Sequence, residues 1–333
     1  GADTHSTSRV LVAIVRLCFE ANNYKALMEN IVLLTKRRSQ IKQSITRMIE
    51  ECCTYVDKIN DKAIQLQYID TLRTVTAGKI YVEVERARLT LKLAHMKEAE
   101  GKIEEAANIL QELQVETFGS MDKREKVELI LEQMRFCLAT KDFVRTQIIS
   151  KKIHTKYFAD ESVQDLKFKY YKLMIELDQN EGSYLAICKH YLALFNSPSI
   201  QADVNLRTDA IKNCVVYVIL APYDNEQCDL INRIKKEKAL QEIPRYLEII
   251  KLFTNWELIN WRGWESSLRT LLRTGGTQLE SQTTGAFDNT DKGNKRWDVL
   301  KNRVVEHNIR VMAKYYSRIK LKRMADLLGL TII

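Results

Sequence analysis

Proline, glycine and long apolar runs are scarce in this sequence. Only 3 of its 333 residues are proline and 11 are glycine, so few positions are expected to interrupt a helix. Long stretches rich in Leu, Ile, Ala, Lys, Glu and Gln lack the alternating pattern of strands, which predicts an almost entirely α-helical protein. No stretch approaches about 18 consecutive apolar residues, so no membrane-spanning helix and no membrane partner is predicted.

Catalytic and ligand-binding motifs are also missing. Neither the G-x-x-x-x-G-K-[ST] nor the G-x-G-x-x-G phosphate-binding pattern occurs, which argues against nucleotide hydrolysis. The histidines are too scattered for a zinc-binding pair on one helix. Glu306 and His307 are interpreted as a surface ion pair, while Cys188 and His190 point to different sides of a helix. The sequence therefore predicts no enzyme, with no catalytic residue, no cofactor and no bound metal.

The seven cysteines form no Cys-x-x-Cys pair, and their odd number is typical of a protein from a reducing compartment. The adjacent pair at positions 52 and 53 raises the question of a redox or metal role. A cysteine on the apolar face of a helix instead acts as a small buried hydrophobe. The predicted face consists of Ile45, Met48, Cys52, Tyr55 and Val56. We therefore predict a structural role for Cys52.

The strongest positive feature is a repeat of about forty residues. Each repeat has a polar turn followed by an aromatic or branched residue that opens a helix. The opening residues are Tyr24, Ile64, Ile103, Phe143, Tyr184 and Tyr223, with successive differences of 40, 39, 40, 41 and 39. Two helices and two turns have this length, so a right-handed solenoid of TPR-like helical hairpins is predicted for residues 8–253. The helical pattern from Tyr24 to Val56 is predicted to break near Lys36 to Ser39.

Residues 254–293 depart from this period and are predicted to form connecting helices and a mobile loop. Trp256, Trp261 and Trp264 are expected to pack in a helical layer, with stacking on single-stranded nucleic acid as the alternative. Within 273–294, four glycines lie among Thr, Ser, Asn and Asp with few apolar residues. That composition is typical of a linker, so mobility is predicted there and a boundary near residue 294.

Most of the excess positive charge lies near the C-terminal end of the sequence. The formal charge is +9 and the pI is near 9.0, which raises nucleic acid as a partner. Between residues 294 and 323, ten Lys or Arg stand against only Asp298 and Glu306. Electrostatic pairing with acidic neighbours would orient assembly equally well. The candidate partner-binding residues are Arg318, Lys320, Lys322 and Arg323.

Two helices are predicted in residues 294–333. The apolar face of the first comprises Val305, Ile309, Met312 and Tyr316, and that of the second Leu321, Met324, Ala325 and Leu328. Gly329 fits a left-handed helix cap. This pair is typical of the opening of a winged helix. Because such a module needs a further helix and a β-hairpin, the sequence is expected to be C-terminally truncated.

Helical hairpins that lead into a winged helix resemble the PCI family, the scaffold subunits shared by the proteasome lid, the COP9 signalosome and the translation-initiation complex. The resemblance to a lid member spans nearly the whole chain and is weakest in residues 273–294. The segments that carry it are 35–40 (TKRRSQ), 78–90 (GKIYVEVERARLT), 107–117 (ANILQELQVET), 145–152 (RTQIISKK), 181–191 (EGSYLAICKHY), 217–227 (YVILAPYDNEQ) and 301–310 (KNRVVEHNIR).

The resemblance implies a non-catalytic scaffold of the proteasome regulatory-particle lid, acting in ubiquitin-dependent protein degradation in the cytoplasm and nucleus. In this family, winged-helix modules assemble side by side and C-terminal helices form a bundle that directs lid assembly. The implied partners are other PCI-family lid subunits, the lid deubiquitinase, the ATPase base and the core particle. The alternatives are a scaffold of the signalosome or initiation complex, or a nucleic-acid-binding winged helix. The last is less favoured because a recognition helix and wing lie outside the sequence.

Overall fold

The secondary structure is helical throughout the part of the chain that the structure, a computed structural model, describes. That part comprises residues 3–37 and 41–330, without the side chain of Glu280. It contains no β-strand. The chain divides into two compact units, residues 1–159 and 160–333. The all-α fold predicted from the scarcity of proline and glycine is confirmed.

The first unit is a succession of helical hairpins. Its α-helices are α1 (Thr4–Glu20), α2 (Tyr24–Lys36), α3 (Lys42–Thr54), α4 (Lys62–Thr76), α5 (Glu83–Ala99), α6 (Ile103–Leu110), α7 (Lys123–Ala139) and α8 (Phe143–Ser150). Helix α1 contacts α2 and α3, while α2 contacts α4 and α3 contacts α5. Such contacts build a hairpin stack, because each hairpin covers the apolar face of its neighbour. The predicted break is confirmed by the end of α2 and the start of α3, although Arg38 and Ser39 lie outside the described residues.

Four of the six repeat turns share one backbone conformation. The residue two positions before the opening residue is left-handed at Asn22, Gly101, Lys141 and Gly182, with φ of 53°, 79°, 59° and 72°. In each case the following residue donates its N–H to the carbonyl five positions back, at 2.8–3.1 Å. This is the Schellman geometry that ends a helix. The period of about forty residues in the sequence is therefore, at these four places, a repeated helix stop.

Ion pairs between neighbouring hairpins, together with one histidine–glutamate hydrogen bond, follow the same period. In the described part of the first unit, eight such pairs join residues 35 to 39 positions apart. They are Arg16–Glu51, Asp57–Lys92, Lys62–Glu100, Arg73–Glu112, Arg88–Glu125, His95–Glu132, Glu98–Arg135 and Glu116–Lys152. Exposed pairs contribute about 0–1 kcal/mol each. They therefore fix the register between hairpins more than they stabilise the unit.

The second unit is organised around one buried helix. Its α-helices are α9 (Gln164–Glu181), α10 (Tyr184–Phe195), α11 (Pro198–Ala202), α12 (Val204–Leu220), α13 (Asn225–Lys235), α14 (Lys238–Gln241), α15 (Pro244–Thr254), α16 (Trp261–Arg269), α17 (Asp291–Tyr315) and α18 (Leu321–Leu328). Every residue from 210 to 220 in α12 is buried. This helix contacts α10, α11, α13, α14, α15 and α17. A helix that is apolar on all sides is stable only when it is enclosed in this way.

Residues 273–294 are attached to this core at several points. Lys212 on α12 is 2% exposed and donates to the carbonyl oxygens of Leu279 and Gln282. Arg296 Nε donates to the carbonyl of Ala286 at 2.6 Å. Phe287 is fully buried. The mobility predicted for residues 273–294 stays a prediction. The contacts of Leu279, Gln282, Ala286 and Phe287 attach the segment to the core at these four positions.

The three predicted domains contribute to a shared core. One hydrophobic cluster runs from Ile175 to Leu300 and includes Leu268 and Phe287. It therefore contains residues of the predicted solenoid (8–253), of the connecting segment (254–293) and of the C-terminal module (294–333). The boundaries at 253 and 293 remain predictions about the chain's modules, and buried packing continues across both positions.

Candidate partner-binding surface

Helix α17 is fixed by polar residues that the apolar pattern did not reveal. Asn308 is buried, accepts from the backbone N–H of Ile259 at 2.8 Å and donates to its carbonyl at 2.9 Å. His307 is 4% exposed, and its Nε2 lies 2.9 Å from the carbonyl oxygen of Glu257. Burial lowers the pKa of His307, which favours the neutral ring. These bonds attach the segment before α16 to α17 and set the rotation of the long helix.

The predicted apolar face of the first C-terminal helix is wrong at two of its four positions, and Val305 is half-buried. Ile309 and Tyr316 are 39% and 44% exposed, and only Met312 of the four predicted residues is buried. The buried face instead comprises Leu300, Val304, His307, Asn308 and Val311. The error arises because His307 and Asn308 occupy core positions, where backbone groups satisfy their polar atoms. The predicted Glu306–His307 surface ion pair is also wrong, since Glu306 bonds Arg303 at 2.7 Å.

The ten basic residues between 294 and 323 divide into two groups. Five have structural partners in this unit: Arg296 bonds a carbonyl, Arg303 bonds Glu306, and Lys301, Arg310 and Lys314 lie over aromatic rings. The other five are Lys295, Arg318, Lys320, Lys322 and Arg323, which are exposed. Within residues 3–37 and 41–330 these five make no ion pair. The four candidate residues Arg318, Lys320, Lys322 and Arg323, here called the basic surface, are therefore available to an external partner.

The basic surface is electrostatically unfavourable for the helix that carries it. Lys320 occupies the N-cap position of α18, and Lys322 and Arg323 lie in its first turn, which has no acidic residue and no side-chain cap. The N-terminus of a helix carries partial positive charge, so cations there cost about 0.3–1 kcal/mol each at low salt. Local conflicts of this kind are expected where residues serve binding and not folding.

Exposed apolar side chains adjoin the basic surface. Tyr315 and Leu321 are 65% and 69% exposed. The predicted apolar face of α18 is correct only in part, because Ala325 is buried, Met324 and Leu328 are half-buried and Leu321 faces outward. The predicted cap is confirmed, since Gly329 has φ 66° and Leu330 donates to the carbonyl of Ala325 at 3.0 Å. Arginine and aromatic side chains are enriched at protein-binding surfaces.

The tryptophans are arranged differently from the prediction. Trp256 and Trp264 are 47% and 36% exposed, so core packing is wrong for these two. Trp261 is half-buried, and its ring centre lies 5.6 Å from the ring centre of Trp297, which is itself 2% exposed. The core tryptophan is thus the one outside the Trp-rich segment. Its position after the glycine-rich loop gave no local signal of burial.

The structure also bears on metal binding, on the cysteines and on membrane crossing. Across 3–37 and 41–330, no cluster of three or more His, Cys, Asp or Glu is placed to hold a metal ion. The predicted apolar face of α3 is confirmed, because Cys52 is fully buried and the other four members are at most 4% exposed. Burial raises the pKa of Cys53 to about 12, which keeps it a thiol. None of the helices in this part has the length and apolar character that crossing a membrane requires.

Comparisons with known proteins identify two family matches along the chain. Family models described as PSMD12/CSN4, N-terminal, and PCI domain match residues 1–203 and 281–332. Over 330 residues, the chain is 41% identical to 26S proteasome non-ATPase regulatory subunit 12 of Dictyostelium discoideum, covering 99% of this chain and 71% of that protein. It is 41% identical to regulatory subunit rpn501 of Schizosaccharomyces pombe and 36% to RPN5 of Saccharomyces cerevisiae, with 99% of this chain and 73% of the relative covered in both. The basic surface lies within the PCI match.

Proposed function

Because the chain belongs to the family of 26S proteasome non-ATPase regulatory subunit 12, we propose that it is a non-catalytic scaffold subunit of the proteasome regulatory-particle lid. Relatives named 26S proteasome non-ATPase regulatory subunit 12 or 26S proteasome regulatory subunit RPN5 are 41% and 36% identical over 99% of the chain. A stack of helical hairpins supports the proposal, since such arrays display extended surface for partners. The proposal includes no catalytic activity, and the described residues contain no metal-binding cluster on which one could be based.

The proposed partners are other PCI-family lid subunits, the lid deubiquitinase, the ATPase base and the core particle. The proposed compartments are the cytoplasm and nucleus, where the proteasome degrades ubiquitin-linked proteins. The proposed modules are the hairpin array in 8–253, the connecting segment in 254–293 and a PCI module that includes 294–333. The PCI match at 281–332 supports the position of the last module.

The observation that carries the assembly proposal is the unpaired basic surface. Its four cations are exposed, three of them oppose the dipole of α18, and Tyr315 and Leu321 lie exposed beside them. Partner subunits with acidic patches would neutralise the charge and cover the apolar groups. Complementary charge of this kind speeds association and rejects wrong partners.

Reversing the charge of the basic surface tests this proposal. In the full-length subunit, Arg318, Lys320, Lys322 and Arg323 are changed together to Glu, and incorporation is measured by co-purification with lid and base subunits from nuclease-treated extract. We expect incorporation to fall at least about tenfold while the helical circular dichroism is kept, because like charges at an interface repel. Unchanged incorporation would contradict the assignment of this surface.

A matched control reverses four exposed bases of the first unit. Arg9, Lys25, Lys36 and Arg37 are exposed and make no ion pair among the described residues. Changing them to Glu alters the net charge by the same amount. Equal loss of incorporation in both variants would indicate a general charge effect, which would also contradict the assignment. Loss of all protein partners after nuclease treatment would favour the nucleic-acid alternative.

A further inference from the structure

A small pocket beside α17 is lined by one cation, Arg310, which has no acidic partner among the described residues. It has a volume of about 250 Å³ and is lined by residues of α13, α15 and α17 and by the turns next to them. Its aromatic walls are Tyr223, Phe253 and Trp256, and its polar lining includes Asn232, His307 and Arg310. This set is called the Arg310 pocket. It is separate from the basic surface, whose four residues do not line it.

Two cations on adjacent turns of α17 are held in place by aromatic rings. The guanidinium carbon of Arg310 lies 4.1 Å from the ring centre of Tyr223. Lys314, four residues further along the same helix, places its Nζ 4.3 Å from the ring centre of Trp256. Cation–π contacts orient a charge without neutralising it. Both cations therefore keep their hydrogen-bond donors for a ligand.

The acids of this region are already engaged or are distant. Glu306, one turn before Arg310, binds Arg303 through both carboxylate oxygens at 2.7 and 2.8 Å. In the described residues, neither Arg310 nor Lys314 has a carboxylate within 4.0 Å. Burial lowers the pKa of Arg310, so the half-buried charge is costly in the free protein. An incoming anion would offset that cost.

The size of the pocket restricts the ligand. Sites for whole cofactors and drug-sized molecules are typically about 300–1,000 Å³, and this pocket is smaller. It has room for one or two side chains. Tyr223 and Trp256 are each 47% exposed, which gives the rim the aromatic character of protein-binding hot spots.

We propose that the Arg310 pocket binds an acidic peptide segment of a partner protein. A carboxylate of the segment accepts from Arg310 at the pocket wall and from Lys314 at the rim, and an apolar side chain packs against Tyr223 and Trp256. The choice of a protein as the source of the anion rests on the scaffold function proposed above. The need for an anion rests only on the geometry of the pocket.

Direct binding to the isolated full chain tests the proposal. The probe is a fluorescein-labelled peptide in which aspartates and glutamates flank a leucine and a phenylalanine, and binding is followed by fluorescence anisotropy. Three comparison probes are used. The first is the same peptide with asparagine and glutamine in place of the aspartates and glutamates, the second is that uncharged peptide with one phosphoserine added, and the third is a single-stranded oligothymidylate. We expect the acidic peptide to bind more tightly than each of the other three.

Substitutions then assign the binding to the pocket. Arg310→Gln and Lys314→Gln should each lower the affinity for the acidic peptide at least about tenfold, which is the loss expected for one charge-assisted hydrogen bond. Lys301→Gln is the matched control. Lys301 is also on α17 and lies over a tryptophan, Trp261 of α16, but it is 4.0 Å from Glu265 and does not line the pocket. It should change binding less than about twofold. Thermal melting of each variant verifies folding, and Lys314, which is exposed, provides the assignment if Arg310→Gln unfolds.

The outcomes separate this inference from the scaffold proposal. Failure of the acidic peptide to bind, equal loss in Lys301→Gln, or tighter binding of the phosphopeptide or oligothymidylate would each overturn the acidic-peptide assignment. Co-purification of the chain with proteasome subunits would be unaffected by that result. Absence of co-purification, with peptide binding intact, would overturn the scaffold proposal and leave the pocket assigned.

Discussion

Two helices of equal length, one from each unit, are buried to different extents. Helix α5 in the first unit buries five of its 17 residues, whereas α12 in the second unit buries twelve of 17. A helix covered on one face gains its stability from one neighbour at a time, so hairpins add nearly independent contributions. A helix enclosed on all sides requires several neighbours at once. We therefore expect local opening in the first unit and cooperative unfolding in the second.

The two units also contain polar contacts that differ in how deeply they are buried. The first unit uses exposed ion pairs spaced by the repeat, such as Arg88–Glu125 at 2.6 Å. In the second unit, buried cations bind backbone carbonyls of a segment distant in sequence, as Lys212 does with Gln282 at 3.1 Å. Exposed pairs are exchangeable and weak. A buried donor that loses its acceptor is costly, so the contacts of Lys212 should be harder to replace than the exposed ion pairs, which also occur in the second unit as Lys189–Glu226 and Arg207–Glu242.

The largest expected effect is at Phe287, which joins the glycine-rich segment to the core of the second unit. It is fully buried and meets Trp297 edge-on with ring centres 5.5 Å apart. Phe287→Ala should reduce the stability of this unit by about 3–5 kcal/mol, through lost burial and the cavity left behind. Hydrogen exchange of the α12 amides measures the change unit by unit, which avoids assuming two-state unfolding of the whole chain.

An exposed apolar residue of the first unit provides the control for that prediction. Ile80 is 79% exposed, so Ile80→Ala should change stability by less than about 0.5 kcal/mol. A loss below about 1 kcal/mol for Phe287→Ala would contradict the packed position of the segment. It would also remove the contrast between one enclosed core and a series of open hairpins.

An effect of intermediate size is expected at the repeated turns. Lys141 and Gly182 occupy equivalent left-handed positions, with φ of 59° and 72°. A residue with a Cβ pays about 1–2 kcal/mol in this conformation. Lys141→Gly should therefore stabilise the α7–α8 hairpin by about 0.5–1 kcal/mol, and Gly182→Ala should destabilise the α9–α10 hairpin by about 1 kcal/mol.

Hydrogen exchange on the flanking helices measures both changes. No neighbouring atom lies within 4 Å of a Cβ placed on Gly182, so the expected loss reflects backbone conformation and not a clash. Equal and near-zero effects at the two positions would show that the left-handed turn is not the element that fixes the hairpin period.

These turns explain why so much of the fold is predictable from sequence. The signals at Asn22, Gly101 and Lys141 are local, because a Schellman turn and the next helix start fit within a few residues. The all-α class, the break after α2 and the cap at Gly329 depend on equally local chemistry. Local sequence signals therefore located four of the six repeat turns.

The errors concern residues whose partners are distant in the sequence. His307 and Asn308 are buried because backbone groups about 50 positions earlier satisfy them, namely those of Glu257 and Ile259. The charge count near the C-terminal end was correct. It did not distinguish Arg296 and Arg303, which bond carbonyl oxygens, from the four exposed cations. Apolar pattern and charge density do not encode such tertiary partners.

The smallest expected effect is at one ion pair of the first unit. Arg135 holds Glu98 through two parallel bonds at 2.6 and 2.9 Å, and both side chains are about one-third exposed. Glu98→Gln should cost about 0.2–1 kcal/mol at neutral pH, and less in high salt, because exposed pairs are solvated and screened. Glu29→Gln, at an exposed position without an ion-pair partner among the described residues, is the matched control.

The pH dependence of this pair shows whether weak contacts accumulate across hairpins. The hydrogen bond from Arg135 lowers the pKa of Glu98 below its ordinary 4.5. At a pH between the pKa of Glu98 in the folded chain and its pKa in the unfolded chain, the unfolded chain binds more protons. The stability that the Glu98–Arg135 pair contributes is therefore complete above about pH 4.5 and is lost as pH falls through the lowered pKa. Urea unfolding between pH 7 and pH 3 should therefore show a shallower acid loss in Glu98→Gln than in Glu29→Gln. A cost above about 2 kcal/mol, or an unchanged acid profile, would mean that the hairpins are coupled as tightly as the enclosed core, and the contrast between the units would not hold.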